Sequence, residues 1–209
     1  MAISRPTNYL RNAFHIGWGL VGAALTLLLS STALLCVALV FAASSWTMEL
    51  VRRRNPAFNQ RIMRVFRHVS RPHEVEQVNS STWYASALAL LTLSFEPTII
   101  VTGVLVLAFA DPAAAIIGRR FGRIQLINGR TVEGTLTFAI VGALVSFAVL
   151  SLAGGGPLPA HGFGLRLSIA LAAGSLGAVA ELVSDRVDDN FSIPLSSALA
   201  AWAILLLLG

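Results

Sequence analysis

Ten acids are spread thinly over the 209 residues of this chain, and some stand where acids are costly. Asp111 interrupts the apolar run Thr98–Ile117, about 10 Å inside Gly118 at a helical rise of 1.5 Å per residue. A charge within a bilayer span costs about 2.5–3.5 kcal/mol on insertion scales, so such an acid is a functional candidate by default. Pro112 follows it, removes a backbone donor and is expected to open the helix locally. An acid beside a broken helix suits a metal or proton site; pairing with a nearby arginine is the plainer alternative.

A second acidic group, Glu181, Asp185, Asp188 and Asp189 with Asn190, lies at the end of another apolar run. Glu181 and Asp185 are four apart and would share a helix face, which is unfavourable unless a cation lies between them. Mg²⁺ typically takes one or two carboxylates plus substrate phosphates, so Asp111, Glu181, Asp188 and Asp189 are the candidate metal ligands. A solvated acidic turn accounts for the same residues without a metal.

Between these acids lie Gly118-Arg119-Arg120-Phe121-Gly122-Arg123 and Gly129-Arg130-Thr131-Val132-Glu133-Gly134-Thr135. Glycine lets backbone approach a ligand, and arginine grips phosphate with two prongs. Gly118, Gly122, Arg119, Arg120, Arg123, Arg130 and Thr131 are therefore the candidate nucleotide-binding set. Helix N-termini favour anions, and Thr131 opens a helix. Glu133 fits either a catalytic role or a first-turn acid complementing the helix dipole. Such a glycine–arginine loop is weak on its own, because loops between spans look like this anyway. Together, acids for Mg²⁺ and arginines for a polyphosphate on one membrane face are what phosphoryl or nucleotidyl transfer needs.

The elements that must position these groups are membrane helices. Hydrophobic residues make up 56% of the chain and charged ones 12%, about half the density of a soluble domain. Apolar runs near 14–30, 32–50, 80–95, 97–118, 132–152, 164–184 and 191–208 give an all-α polytopic bundle of about seven transmembrane helices in a single domain, 1–209. The first run follows Arg11 with no small-residue cleavage site after it, which reads as a retained span. With the N-terminus inside and the C-terminus outside, every arginine except Arg166 falls on the cytoplasmic side, a strong positive-inside pattern. Chemistry is then expected at the cytoplasmic face, and nucleic acid is not an expected partner. In the cytoplasmic segment 51–79, Asn55 and Pro56 open a helix whose Phe58, Ile62, Val65, Phe66 and Val69 recur at helical spacing. Arg61, Arg64, His68 and Arg71 occupy another face, and Pro72 ends the pattern, as in an interfacial helix drawn to anionic lipid. The single cysteine, Cys36, excludes an internal disulfide.

At these residues the chain resembles the CTP-dependent lipid alcohol kinases that act on diacylglycerol, dolichol or phytol, relatives of phosphatidate cytidylyltransferase. The resemblance is carried by Arg11-Asn12-Ala13-Phe14-His15, Arg71-Pro72-His73-Glu74, Ala110-Asp111-Pro112 running into Gly118-Arg119-Arg120-Phe121-Gly122, the 129–135 block, and Glu181 followed by Asp188-Asp189-Asn190. It implies transfer of the CTP γ-phosphoryl group to a membrane lipid alcohol with a divalent cation, and catalytic roles for Asp111, Glu133 and Asp188. It also implies lipid or nucleotide contact for His15, Arg71, Glu74 and Asn190. His15 as an interface anchor, and Arg71 with Glu74 as a tie between helices, are the plainer readings. Arg130 stands where family loops often carry lysine. CTP as co-substrate rests wholly on the resemblance, and a homodimer is left open. The alternatives are a CTP:phosphatidate cytidylyltransferase and a small proton-coupled transporter. The latter fits poorly, because Asp111 stands nearly alone at depth and the other charges hug one face.

Overall fold

Each apolar run becomes a helix, because within a bilayer only helices and closed barrels satisfy the backbone internally. The computed structural model describes residues 9–69, 72–94, 96–152, 162–185 and 187–208. Among them are eight α-helices: α1 Tyr9–Leu28, α2 Ser31–Arg54, α3 Pro56–Val65, α4 Ser80–Thr92, α5 Pro97–Phe121, α6 Val132–Leu152, α7 Phe163–Val183 and α8 Asp189–Leu208. Their starts follow local chemistry. Ser30, Asn55, Asn79 and Glu96 each accept a backbone N–H from the first turn, and Pro56 and Pro97 occupy the first helical position.

Among the described residues, five helices are long and apolar enough to cross a membrane: α2, α5, α6, α7 and α8. The other two expected spans are helical but differ in kind. The 13 residues of α4 rise about 20 Å against a hydrocarbon core of roughly 30 Å. In α1, Arg11, Asn12 and His15 occupy the first two turns.

The central helix is α5, which packs against α1, α6 and α8 and buries Ile100, Val104, Val106 and Leu107. It runs unbroken through Pro112, so the expected local opening beside Asp111 does not occur. The proline is itself buried, and neighbouring helices hold the turn together where a hydrogen bond is lost. Lipid supplies no hydrophobic drive between helices, so close contact comes from small residues. On the α6–α7 seam a Cβ at Gly174 would lie 2.5 Å from both the Ala139 carbonyl oxygen and the Ala143 nitrogen. Buried hydroxyls return to the carbonyl four residues back, as Thr102 does to Thr98 (2.7 Å) and Ser146 to Gly142 (2.8 Å).

α1 leans on α5 and touches α2 little, the Trp18 and Phe41 rings stacking across the gap at 6.0 Å. The helix expected in the 51–79 segment starts at Pro56 but ends at Val65, and a turn over 66–69 completes the expected apolar series.

Candidate active site

Residues 122–131 form a small hairpin that the reading of this stretch as a glycine–arginine loop did not anticipate. Leu126 N–H donates to the Arg130 carbonyl (2.8 Å), and Gln125 and Thr131 pair as an isolated antiparallel bridge. Asn128 (φ 54°) and Gly129 (φ 70°) make the tip. Asn-Gly with positive φ at both central positions is the favoured two-residue hairpin turn, a signal present in the sequence. The Asn128 side chain ties the tip to the end of α7 by donating to the Leu182 carbonyl (3.1 Å).

Thr131 is the N-cap of α6, its Oγ1 accepting the Gly134 N–H (3.1 Å). It is buried against Gly118 and Gly122, where a Cβ would lie 3.0 Å from Thr131 Oγ1 at the first and 2.6 Å from Thr131 Cγ2 at the second. These two glycines thus seat Thr131 on the end of α5. Glu133 turns back to the hairpin, Oε1 accepting the Arg123 N–H (3.0 Å), and leaves Oε2 buried without a partner. The side chains of Arg119, Arg120 and Arg123 are exposed, Arg120 lying over the Phe121 ring.

Arg130 reaches two acids. One terminal nitrogen sits 2.9 Å from Glu181 Oε1 and the other 3.4 Å from Asp189 Oδ2. Glu181, at the end of α7, is buried, and among the described residues its Oε2 has no hydrogen-bond partner. Asp111 and Asp189 both act on it electrostatically. Asp185 does not share its face. α7 stops at Val183, so Asp185 lies beyond the helix, where it is exposed.

Asp188 caps α8, with Oδ1 accepting the Asn190 N–H (2.9 Å). Asp189 occupies the first turn of the helix, where the dipole favours an acid. The buried Asn190 amide donates to both aspartates, at 2.6 and 3.0 Å. From Asp188 a chain of contacts runs away from the hairpin. Ser80 Oγ lies 3.0 Å from Asp188 Oδ2 and 2.8 Å from Glu74 Oε1, and the Asn79 amide donates to Glu74 Oε2 (2.9 Å).

The segment carrying Glu74, Asn79 and Ser80 is held by a pair not among the candidate residues. Arg52, 2% exposed, donates to both oxygens of buried Glu49 (2.9 and 2.8 Å), to Asn59 Oδ1 (3.0 Å) and to the carbonyls of Glu74 (2.9 Å), Val75 and Gln77. The topology reading absorbed Arg52 as one of three arginines in a row. Glu49 three residues before it, inside an apolar run, was the available signal.

Beside this segment is a cavity of about 380 Å³ between α1, α2 and α4, floored by α5. Phe14, Trp18, Phe41, Val104 and Leu107 make an apolar wall, and Glu74, Ser80 and Asn190 a polar end. The structure therefore brings His15, Glu74 and Asn190 to one cavity; His15 Nε2 is buried there without a partner among the described residues. Arg71 lies outside the described residues.

Among the described residues no group of three or more histidine, cysteine, aspartate or glutamate side chains converges to hold a metal ion. The expected acids instead divide, Glu181 and Asp189 meeting at Arg130 while Asp188 joins Glu74 through Ser80. The unpartnered Glu181 Oε2, with Asp111 and Asp189 acting on the same carboxylate, suits an ion that takes one or two carboxylates and completes its shell with phosphate and water.

No protein-family model and no solved structure matches the chain. Curated relatives do. It is 34% identical over 131 residues to the phytol kinase of Synechocystis, covering 58% of this chain and 52% of the relative. It is 25% identical over 177 residues to the CTP-dependent diacylglycerol kinase 1 of Saccharomyces cerevisiae, covering 76% of this chain and 59% of the relative. The Schizosaccharomyces pombe protein of that name is 26% identical over 166 residues, with 77% and 76% covered. The chain thus spans between half and three fifths of the length of the first two relatives.

Proposed function

Starting from the CTP-dependent lipid kinase family that these relatives support, we propose that the chain transfers the γ-phosphoryl group of CTP to a membrane lipid alcohol at the cytoplasmic face. One observation carries this reading. An unbroken set of polar contacts leads from the polar end of an apolar cavity, through Glu74, Ser80, Asp188 and Asn190, to Asp189, Arg130 and Glu181. A lipid alcohol has an apolar body and one reactive hydroxyl, and the cavity offers a wall for the first and acceptors for the second.

In this reading the acceptor hydroxyl lies beside Ser80 and Asn190, and its oxygen attacks the γ-phosphorus as the bond to CDP breaks. The proton passes to the carboxylates joined by Ser80, Glu74 on the cavity side and Asp188 behind it. Arg130 exchanges a carboxylate for phosphate oxygens, and Arg119, Arg120 and Arg123 meet the remaining triphosphate charge. The free N–H groups at the start of α6 add to that attraction. Mg²⁺ would be held by Glu181, Asp189 and Asp111, and neutralises phosphate charge when bound.

The test uses purified protein in detergent with γ-labelled CTP, Mg²⁺ and a panel of diacylglycerol, phytol and long polyprenols. Label in the lipid supports the kinase. Label released as pyrophosphate, with phosphatidate as substrate, replaces it with a cytidylyltransferase. Orientation is checked separately: reporter fusions after Asn128 and Gly156 should report opposite sides, the first cytoplasmic.

A further inference from the structure

Residues 50–73 contain seven arginines and no acid. Arg52 is internal, but Arg53, Arg54, Arg61, Arg64 and Arg67 are exposed, and Val65 and Phe66 are exposed among them. No residue of α3 is buried, and its main contacts are the end of α2 and the 72–75 turn. Yet Ile62, Phe66 and Val69 line the cavity mouth. At 3.6 residues per turn Arg64 points about 200° away from Ile62, so one face covers the cavity while the other carries charge.

We infer that α3 is a movable roof over the cavity, held in place by anionic lipid headgroups acting on Arg54, Arg61 and Arg64. Loose packing alone does not fix such a helix, and its charge is not offset within the segment. Exposed arginines flanking exposed apolar side chains match the boundary of an anionic bilayer, where cations meet headgroups and apolar groups leave water. The attraction is about fivefold per arginine near such a surface and is screened by salt. That the roofed cavity receives the acceptor rests on the kinase reading; the lipid dependence of α3 does not.

The experiment places the full chain in nanodiscs, with Cys36→Ala and an environment-sensitive fluorophore on Val65→Cys. Nanodiscs of phosphatidylcholine alone are compared with nanodiscs that include phosphatidylglycerol. The expected result is a blue-shifted emission only with the anionic lipid, abolished by high salt and by Arg54→Gln/Arg61→Gln/Arg64→Gln. Identical spectra in the two lipids, or a shift indifferent to salt, overturn the inference. Inorganic phosphate added to the neutral nanodiscs should leave the spectrum unchanged; a shift there would assign the arginines to a soluble anion and also overturn it. With whichever alcohol is phosphorylated, the anionic lipid should lower the apparent KM for that alcohol and leave the KM for CTP unchanged. An inactive protein that still shows the spectral shift would sink the kinase reading and leave the lipid-held roof standing.

Discussion

Arg52 and Arg130 both sit at the charged end of the bundle, and each is paired with a buried glutamate, Glu49 in one case and Glu181 in the other. Arg52 is 2% exposed, and all three of its guanidinium nitrogens donate to protein acceptors. Arg130 is 25% exposed and spreads over two separate carboxylates, one at 3.4 Å, while Glu181 keeps an oxygen unpartnered. A buried ion pair repays its desolvation only when the remaining hydrogen-bonding capacity is met. The Arg52 node meets it and clamps a loop. The Arg130 node does not, and has capacity left for a ligand.

The sharpest way to break this contrast is at Arg52. Arg52→Gln leaves the Glu49 carboxylate to Arg53 (2.6 Å) and the Asn79 N–H (3.3 Å) but frees three loop carbonyls, so it should cost about 1–3 kcal/mol of stability. Detergent unfolding curves would show it as a lower midpoint, whatever nucleotide is present. An unshifted midpoint would mean that the clamp carries no stability.

Changes at the acids should leave the fold alone and remove turnover. Asparagine caps a helix about as well as aspartate, so Asp188→Asn keeps the start of α8 while losing a proton acceptor. We expect turnover to fall about 100-fold or more. Asp111→Asn should do the same, with folded yield unchanged by size exclusion. Turnover surviving either change at saturating Mg²⁺ would return that acid to a structural role.

Next comes Arg130→Lys, with Arg123→Lys beside it. Charge and the inside bias are kept while the two-pronged grip is lost. The apparent KM for CTP should rise about tenfold, near 1.4 kcal/mol, with the unfolding midpoint held. Wild-type kinetics in both variants would make them topology residues only.

Ser80→Ala is the mildest test. It removes one hydroxyl between Glu74 and Asp188, an effect of about 1 kcal/mol on kcat. Ser80→Thr should restore the rate, and loss of KM rather than kcat would place Ser80 in acceptor binding instead.

What could be read from the sequence follows the physics of each feature. Apolar runs are long-range signals, so each helix was placed within a few residues, and Asn55-Pro56 marked the start of α3 because capping is local. Whether a run crosses the bilayer is less legible, since the 13 residues of α4 look apolar yet fall short. Asp111-Pro112 misled because a proline's effect depends on neighbours that hold its turn, and Asp185 because α7 ends at Val183, two residues before it. The gathering of His15, Glu74 and Asn190 at one cavity spans 175 residues of sequence and is a property of packing alone.

The narrow contact between α1 and α2 has a consequence for how such an enzyme would be measured. The cavity lies in that gap, with the Trp18–Phe41 stack across it, so under the proposed kinase function a lipid acceptor would arrive sideways by diffusion within the membrane plane. The concentration that governs its occupancy is then a mole fraction among the surrounding lipids. Adding inert lipid or detergent at constant acceptor should slow the reaction as though acceptor had been removed, while CTP keeps an ordinary molar dependence.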